Sequence, residues 1–157
     1  YRGAGTSTCG ACTSVYETRR AAGRAVEPQN TVIASTLYAN KPVDGSAREQ
    51  AASCQRGRGA GANLAMEYAT KRYRSNCINW GMLPFLVKSA DVVTNGDWVF
   101  VPGIRKVLLE GGEEAIAYAV HDGKVTSFPV SLGHLTGPER QILADGCLIN
   151  YYQHDQK

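Results

Sequence analysis

The chain has 157 residues, which is enough for a single domain with one well-buried core. Its net charge is +3 and 20% of its residues are charged, so composition indicates neither a nucleic-acid nor a membrane partner. No apolar run approaches the ~20 residues that a membrane span requires. The sequence opens Tyr1-Arg2-Gly3 without a signal peptide or a methionine, so we expect it to be a piece of a longer protein.

The five cysteines are irregularly spaced, at Cys9, Cys12, Cys54, Cys77 and Cys147. An odd number without a regular pattern argues against a disulfide framework and predicts a reducing, cytoplasmic location. The C-x-x-C spacing of Cys9 and Cys12 can hold zinc or an iron–sulfur cluster, but such a site needs three or four ligands. Because no second C-x-x-C and no H-x-x-x-H occurs, we assign no metal ligand in this chain.

The first predicted elements are a short helix over residues 14–22, before Pro28, and a buried strand over residues 31–38. Asp44-Gly45-Ser46-Ala47-Arg48 follows the strand and leads into a helix that starts at Arg48. A strand, a glycine turn and a helix place free backbone N–H groups and the positive end of the helix dipole toward a ligand. With the guanidinium of Arg48 added, this segment is a candidate anion site.

A structural alternative stays open for the same segment. Ser46 followed by Glu49 also fits a capping box, in which the two side chains satisfy helix N–H groups and do no chemistry.

Residues 56–62 match the loose dinucleotide pattern G-x-G-x-x-A, but they follow a helix and precede an extended run, so we reject that interpretation. A strand is predicted over residues 62–69 and a helix over residues 71–80, with Gly81 ending the helix. Lys71, Arg72 and Arg74 are typical of a solvated face. Together with the arginines at positions 48, 56 and 58, they also predict an electropositive side that attracts carboxylates.

Short strands are predicted beyond Pro84. Residues 97–101 form the first of them, and a brief amphipathic turn follows over residues 104–109. Strands over 113–120 and 124–130 flank Asp122-Gly123, which is a hairpin signal. Thr136 begins a last helix, which is predicted to stop at Gly146.

Several of these segments resemble one family in the same order along the chain. Residues 45–52 resemble G-S-S-R-E-H-A-A, a signature of the mobile swivel domain of the aconitase superfamily, which includes isopropylmalate dehydratase small subunits and homoaconitases. Asn76, Asn79, Gly81, Leu83 and Pro84 match N-x-x-N-x-G-I-L-P, and residues 144–151 resemble the closing G-G-I-L-N-Y. The resemblance covers roughly residues 31–152.

The resemblance implies an α/β fold: a three-layer β/β/α swivelling domain over residues 1–157, with a mixed sheet and a C-terminal β-hairpin plus helix. It implies part of a hydro-lyase that dehydrates and rehydrates a hydroxy di- or tricarboxylic acid. Ser46 is then the catalytic base, and Gly45, Arg48 and Arg2 bind the substrate. A [4Fe-4S] cluster is expected on a partner domain or large subunit and none in this chain, so the isolated domain is expected to be inactive.

The sequence departs from the common signature at Ala47, where many members carry a second serine. The lost hydroxyl removes one hydrogen bond, worth roughly 1 kcal/mol, and leaves the substrate open. Two alternative functions stay open. One is a non-catalytic or RNA-binding role, for which we expect a basic surface wider than the predicted electropositive side. The other is a stand-alone carboxylate-binding module.

Overall fold

The computed structural model describes residues 35–42, 47–57, 59–94 and 97–154. The strands in these residues are β1 (Ser35–Ala39), β2 (Ala60–Ala65), β3 (Leu83–Leu86), β4 (Trp98–Phe100), β5 (Glu114–His121) and β6 (Lys124–Ser131). The helices are α1 (Arg48–Gly57), α2 (Lys71–Asn79), α3 (Ile104–Leu109), α4 (Gly137–Asp145) and α5 (Leu148–His154), with a short 3-10 helix at Ala90–Val92. The helix predicted over residues 14–22 lies outside the described residues. None of the described helices has the length and apolar character to cross a bilayer.

The described strands form one mixed sheet in the order β1-β2-β3-β6-β5-β4. β1, β2 and β3 run parallel, and α1 and α2 connect them in turn. β6, β5 and β4 are antiparallel to their neighbours. The predicted mixed α/β architecture with a C-terminal hairpin and helix is therefore confirmed.

One apolar cluster joins the sheet to the helices. Along β5 and β6, alternate residues are buried, among them Ala117, Ala119, Phe128 and Val130. These side chains share a cluster with residues of β2, β3, α2 and α4. Alternation of this kind is what a sheet with one covered face produces, because successive side chains point to opposite faces.

Both ends of one predicted strand are corrected. The strand predicted over residues 62–69 is β2 at Ala60–Ala65, because the backbone N–H groups of Met66 and Glu67 both donate to the Asn40 carbonyl and turn the chain out of the sheet. The Thr70 hydroxyl then accepts a hydrogen bond from the Tyr73 N–H and caps α2.

The helix from Thr136 is not the last one. Thr136 and Glu139 form a capping box at the start of α4, and Gly146 ends the helix at a φ of +92°, as predicted. The chain then resumes as α5 after a single residue, Cys147. The Asn150 amide donates to the Asp145 carbonyl at 2.8 Å, so the break between the helices is spanned by a side chain.

A close backbone approach joins α2 to the turn between α4 and α5. Gly81 ends α2 with a φ of +67°, and a Cβ placed on it would lie 1.6 Å from the Gly146 carbonyl oxygen. Only a residue without a side chain fits there, for steric and conformational reasons together.

The free tip of the sheet is held by a histidine–carboxylate pair. The Asp122-Gly123 turn has positive φ at both residues, as a type I′ hairpin requires, and His121 immediately precedes it. His121 hydrogen-bonds to Asp97, which also accepts from the amide and the hydroxyl of Thr94. His121 is exposed and also lies 3.5 Å from the Asp122 carboxylate, through its Nε2 atom.

Gly81→Ala should strongly destabilise the protein. The new Cβ would collide with the Gly146 carbonyl and would force a left-handed backbone on a residue that disfavours it, at a cost of about 2–5 kcal/mol. Gly57→Ala is the matched control, since nothing lies within 4 Å of a Cβ at that position in α1. Urea unfolding measures both. An unchanged midpoint for Gly81→Ala would contradict the close approach.

The His121–Asp97 pair should make stability depend on pH. The Asp97 hydrogen bond, its charge and then Asp122 raise the pKa of His121 above 6.5. Burial acts to raise the pKa of Asp97, but hydrogen bonds from Thr94 and His121 outweigh it and bring the pKa below 3.8. The pair's contribution is thus full between these two values, and is lost as pH rises through the His121 pKa or falls through the Asp97 pKa.

His121→Gln should therefore lower the unfolding midpoint most between about pH 4 and pH 6.5, and less on either side of that window. Urea titrations of both proteins across this pH range measure the difference, with His134→Gln as the control for a generic histidine effect. A difference that does not vary with pH would argue against the pair.

Candidate functional site

The candidate anion site begins at α1. Arg48 is the first residue of this helix and its side chain is partly buried. The Ala47 carbonyl accepts the N–H of Ala51 at 3.0 Å, so helical hydrogen bonding starts one residue after Ser46. The other predicted site residues, Arg2, Gly45 and Ser46, lie outside the described residues.

A tryptophan fixes the first turn of α1. The Trp80 indole N–H donates to the Glu49 carboxylate at 2.7 Å. Trp80 is the C-cap residue of α2, so this bond ties the start of α1 to the end of α2. One Glu49 oxygen is therefore engaged outside its own helix, whereas the alternative capping box required Glu49 to reach back toward Ser46.

The segments that carry the family resemblance meet in space. The segment at residues 45–52 contacts the segment at residues 76–84 through Glu49 and Trp80. The second segment contacts the C-terminal one, because Gly81 approaches the Gly146 carbonyl. The dipeptide Trp80-Gly81 therefore contacts both of the other segments. Trp80 contacts Glu49 of the first segment, and Gly81 contacts Gly146 of the C-terminal one.

A buried polar cluster holds the other end of α1. Tyr73 of α2 donates its hydroxyl hydrogen to the Gln55 side-chain oxygen at 2.7 Å. The Asn63 amide of β2 donates to the Tyr73 hydroxyl at 3.1 Å and lies 3.3 Å from the Cys77 sulfur. Gln55 is 2% exposed and Asn63 is fully buried. We call Gln55, Asn63, Tyr73 and Cys77 the buried polar cluster.

Burial controls the ionisation of this cluster. It raises the pKa of the Cys77 thiol to about 12 and also raises the pKa of the Tyr73 hydroxyl. Both groups are therefore neutral at physiological pH and act as hydrogen-bonding groups. The Gln55 amide nitrogen and the Asn63 side-chain oxygen have no hydrogen-bond partner among the described residues.

Only some residues of this cluster carry a signal in the sequence. Asn63 interrupts an apolar strand, where a polar residue is a sign of a buried hydrogen bond. Gln55 has the appearance of an ordinary solvent-facing residue on a polar helix, so its burial was not predicted. Neither was the bond between Trp80 and Glu49, which joins residues 31 positions apart.

Two arginines of the predicted electropositive side bind backbone carbonyls. Arg74 donates to the carbonyls of Leu132 and His134, at 2.7 and 3.1 Å. Arg56 donates to the Ala60 carbonyl at 3.0 Å. These two guanidinium groups are occupied in binding backbone oxygens, which the charge pattern in the sequence does not show. Lys71 and Arg72 are exposed, as predicted for a solvated face.

No metal site is formed by the part of the chain that the structure describes, since no three His, Cys, Asp or Glu side chains group closely enough to hold an ion. Cys54 is exposed, Cys77 is buried and Cys147 is partly buried, all as free thiols. Cys9 and Cys12 lie outside the described residues.

Comparison with known proteins identifies the fold. The structure is similar to that of 3-isopropylmalate dehydratase, LeuD, from Methanocaldococcus jannaschii, with a TM-score of 0.56 and 23% sequence identity over 86% of this chain and 73% of that one. The chain shares the fold of this dehydratase. The swivel-domain fold implied by the sequence resemblance is thereby confirmed. No protein-family model matches the sequence, and no curated protein does.

Tyr73→Phe should destabilise the domain by about 1–3 kcal/mol, because it leaves the buried Gln55 oxygen and the Asn63 amide without their shared partner. Tyr152→Phe is the matched control, since Tyr152 is an exposed tyrosine of α5. Urea unfolding of the three proteins measures the effect. Equal stabilities of the two variants would show that the cluster does not hold α1.

Proposed function

We propose that this chain is the swivel domain of a hydro-lyase, which removes water from a hydroxy di- or tricarboxylic acid and adds it back. The observation that carries the proposal is the convergence of the three family-like segments, through Glu49 with Trp80 and through Gly81 with Gly146. The fold shared with 3-isopropylmalate dehydratase supports the same reaction class.

In this proposal Ser46 is the base that takes a proton from the substrate carbon. A serine hydroxyl is a weak base at neutral pH, so its alkoxide needs stabilisation by groups that tolerate negative charge. Ser46 stands two residues before the start of α1, where unpaired N–H groups and the positive end of the helix dipole provide that stabilisation. Gly45, which has no side chain, allows the backbone to approach the substrate closely.

Arg48 binds a substrate carboxylate in this scheme. A guanidinium offers a planar pair of N–H donors that matches a carboxylate in two parallel hydrogen bonds. Its position depends on α1, which is anchored by fully buried Ala52 and by Gln55 in the buried polar cluster. Arg2 supplies a second carboxylate contact by resemblance to the R-G dipeptide of some family members.

We assign the [4Fe-4S] cluster to a partner domain or large subunit, as the family resemblance implies. When bound there, the cluster supplies a Lewis acid for the substrate hydroxyl. This chain then supplies the proton acceptor and the carboxylate contacts, and the active site forms between the two partners. We propose the cytoplasm as the location of the complex.

The test is an assay of the chain reconstituted with its cluster-bearing partner, on citrate and on 3-isopropylmalate. Absorbance of the unsaturated acid that forms on dehydration reports the rate. Ser46→Ala should lower kcat by about 10²–10⁴-fold with little change in KM, as expected for the loss of a general base. Arg48→Gln should raise KM by roughly 10–100-fold, the range that one charged hydrogen-bonding contact provides.

Two matched controls make the assay specific. Ser53→Ala removes an exposed α1 hydroxyl that donates to the Gln50 carbonyl, and Arg72→Gln removes an exposed positive charge from α2. Both should stay near wild-type activity. Equal losses of kcat and substrate affinity in Ser46→Ala would exclude the base role, and citrate binding by this chain alone without turnover in the complex would favour a stand-alone carboxylate-binding module.

A further inference from the structure

The antiparallel half of the sheet has an apolar face that no described helix covers. The side chains on it come from alternate positions of three strands and are paired across them, Trp98 with Val120 and Phe100 with Tyr118. The outer face, as we call it, consists of Trp98, Phe100, Ile116, Tyr118, Val120, Val125, Ser127 and Pro129. Directly opposed residues on neighbouring strands point to the same side of a sheet, which places these eight together.

Large apolar side chains on this face are half exposed or more. Trp98 is 53%, Phe100 60%, Ile116 50% and Val125 60% exposed, whereas the intervening Ala117 and Phe128 on the other side are buried in the core. Single exposed apolar residues are ordinary on protein surfaces. Two aromatic and two aliphatic side chains on one contiguous face are not, because such patches usually mark an interaction site.

The area of the face suits a protein interface. Each half-exposed aromatic side chain leaves on the order of 100 Å² in contact with water, so the eight residues together expose roughly 600 Å² of surface. The smallest stable protein interfaces bury about 600 Å² on each partner, and typical ones about 800 Å².

The charge distribution favours a second copy of this chain as the partner. In a symmetric dimer each residue near the twofold axis meets its own copy, so a charge there would face a like charge. None of the eight residues of the outer face is charged. Glu114 is on the same side of the sheet, but it is the first residue of β5 and so lies at the end of the face, beyond Ile116. Sheets that pack face to face in this way bury interdigitating apolar side chains.

The position of the face separates it from the proposed active site. The candidate anion site lies at the start of α1, which joins β1 to β2, whereas the outer face is centred on β5, four strands from β1 in the order of the sheet. The outer face and the candidate anion site therefore belong to different strands of the sheet.

We propose that the outer face is a homodimer interface, on which the β4-β5-β6 sheet of one copy packs against that of a second copy. This inference goes beyond the proposed hydro-lyase function and does not depend on it.

Sedimentation equilibrium of the full 157-residue chain over a range of micromolar concentrations tests the proposal. The wild-type chain should dimerise reversibly, and Phe100→Lys or Tyr118→Lys should weaken the dimer at least tenfold, because a buried charge has no counter-ion at the centre of the interface. Leu109→Lys and Ile149→Lys are the matched controls, since both are similarly exposed apolar residues outside the outer face, and they should leave the dimer intact.

Ile116→Thr keeps a β-branched residue in β5 and serves as a milder variant in case a lysine disturbs the strand. It should weaken the dimer in the same direction, with an unchanged circular dichroism spectrum. A wild-type chain that stays monomeric overturns the proposal, whatever else covers the face. So does a dimer that survives both outer-face lysines or is disrupted by Leu109→Lys.

Discussion

A single buried hydroxyl group fixes the helix on which the proposed chemistry depends. The Tyr73 hydroxyl donates to Gln55 of α1 and accepts from Asn63 of β2. A shift of α1 by one residue would leave these polar groups unpaired in the protein interior, which costs more than an ordinary hydrogen bond contributes. Together with the bond from Trp80 to Glu49, the cluster holds α1 near both of its ends. The backbone of Arg48, the first residue of α1, is therefore held in a defined position.

The mixed sheet gives the molecule two surfaces with different character. The parallel strands β1 to β3 are joined by α1 and α2, and the start of α1 carries the candidate anion site. The antiparallel strands form a hairpin and an edge strand with one covered face and one open apolar face. The halves meet at β3 and β6, where Leu86 pairs with Ser131. One apolar core contains residues of β2, β3, β5 and β6, so packing connects the two halves of the sheet.

Local signals predicted the elements well where the cause of the structure is local. Asp122-Gly123 produced the hairpin because both residues must adopt positive φ, and Thr136 with Glu139 produced the α4 cap because their side chains reach the backbone of the same turn. The strand at residues 62–69 was misplaced because its end is set by hydrogen bonds to Asn40, in a distant loop. Arg74 was assigned to a solvated basic face because its carbonyl partners near residue 133 lie almost 60 positions further on.

By itself the sequence determined most of the strands and helices, apart from β3 and α5, together with the hairpin, the cap of α4 and the family-like segments, since each depends on residues that are neighbours in the chain. Only the tertiary structure decided that Gly81 must fit against Gly146, that Gln55 is buried, and that the apolar residues of β4, β5 and β6 face outward. The physical reason is that steric contact, burial and hydrogen-bond pairing between remote segments depend on distances in space. The order of residues along the chain does not specify those distances locally.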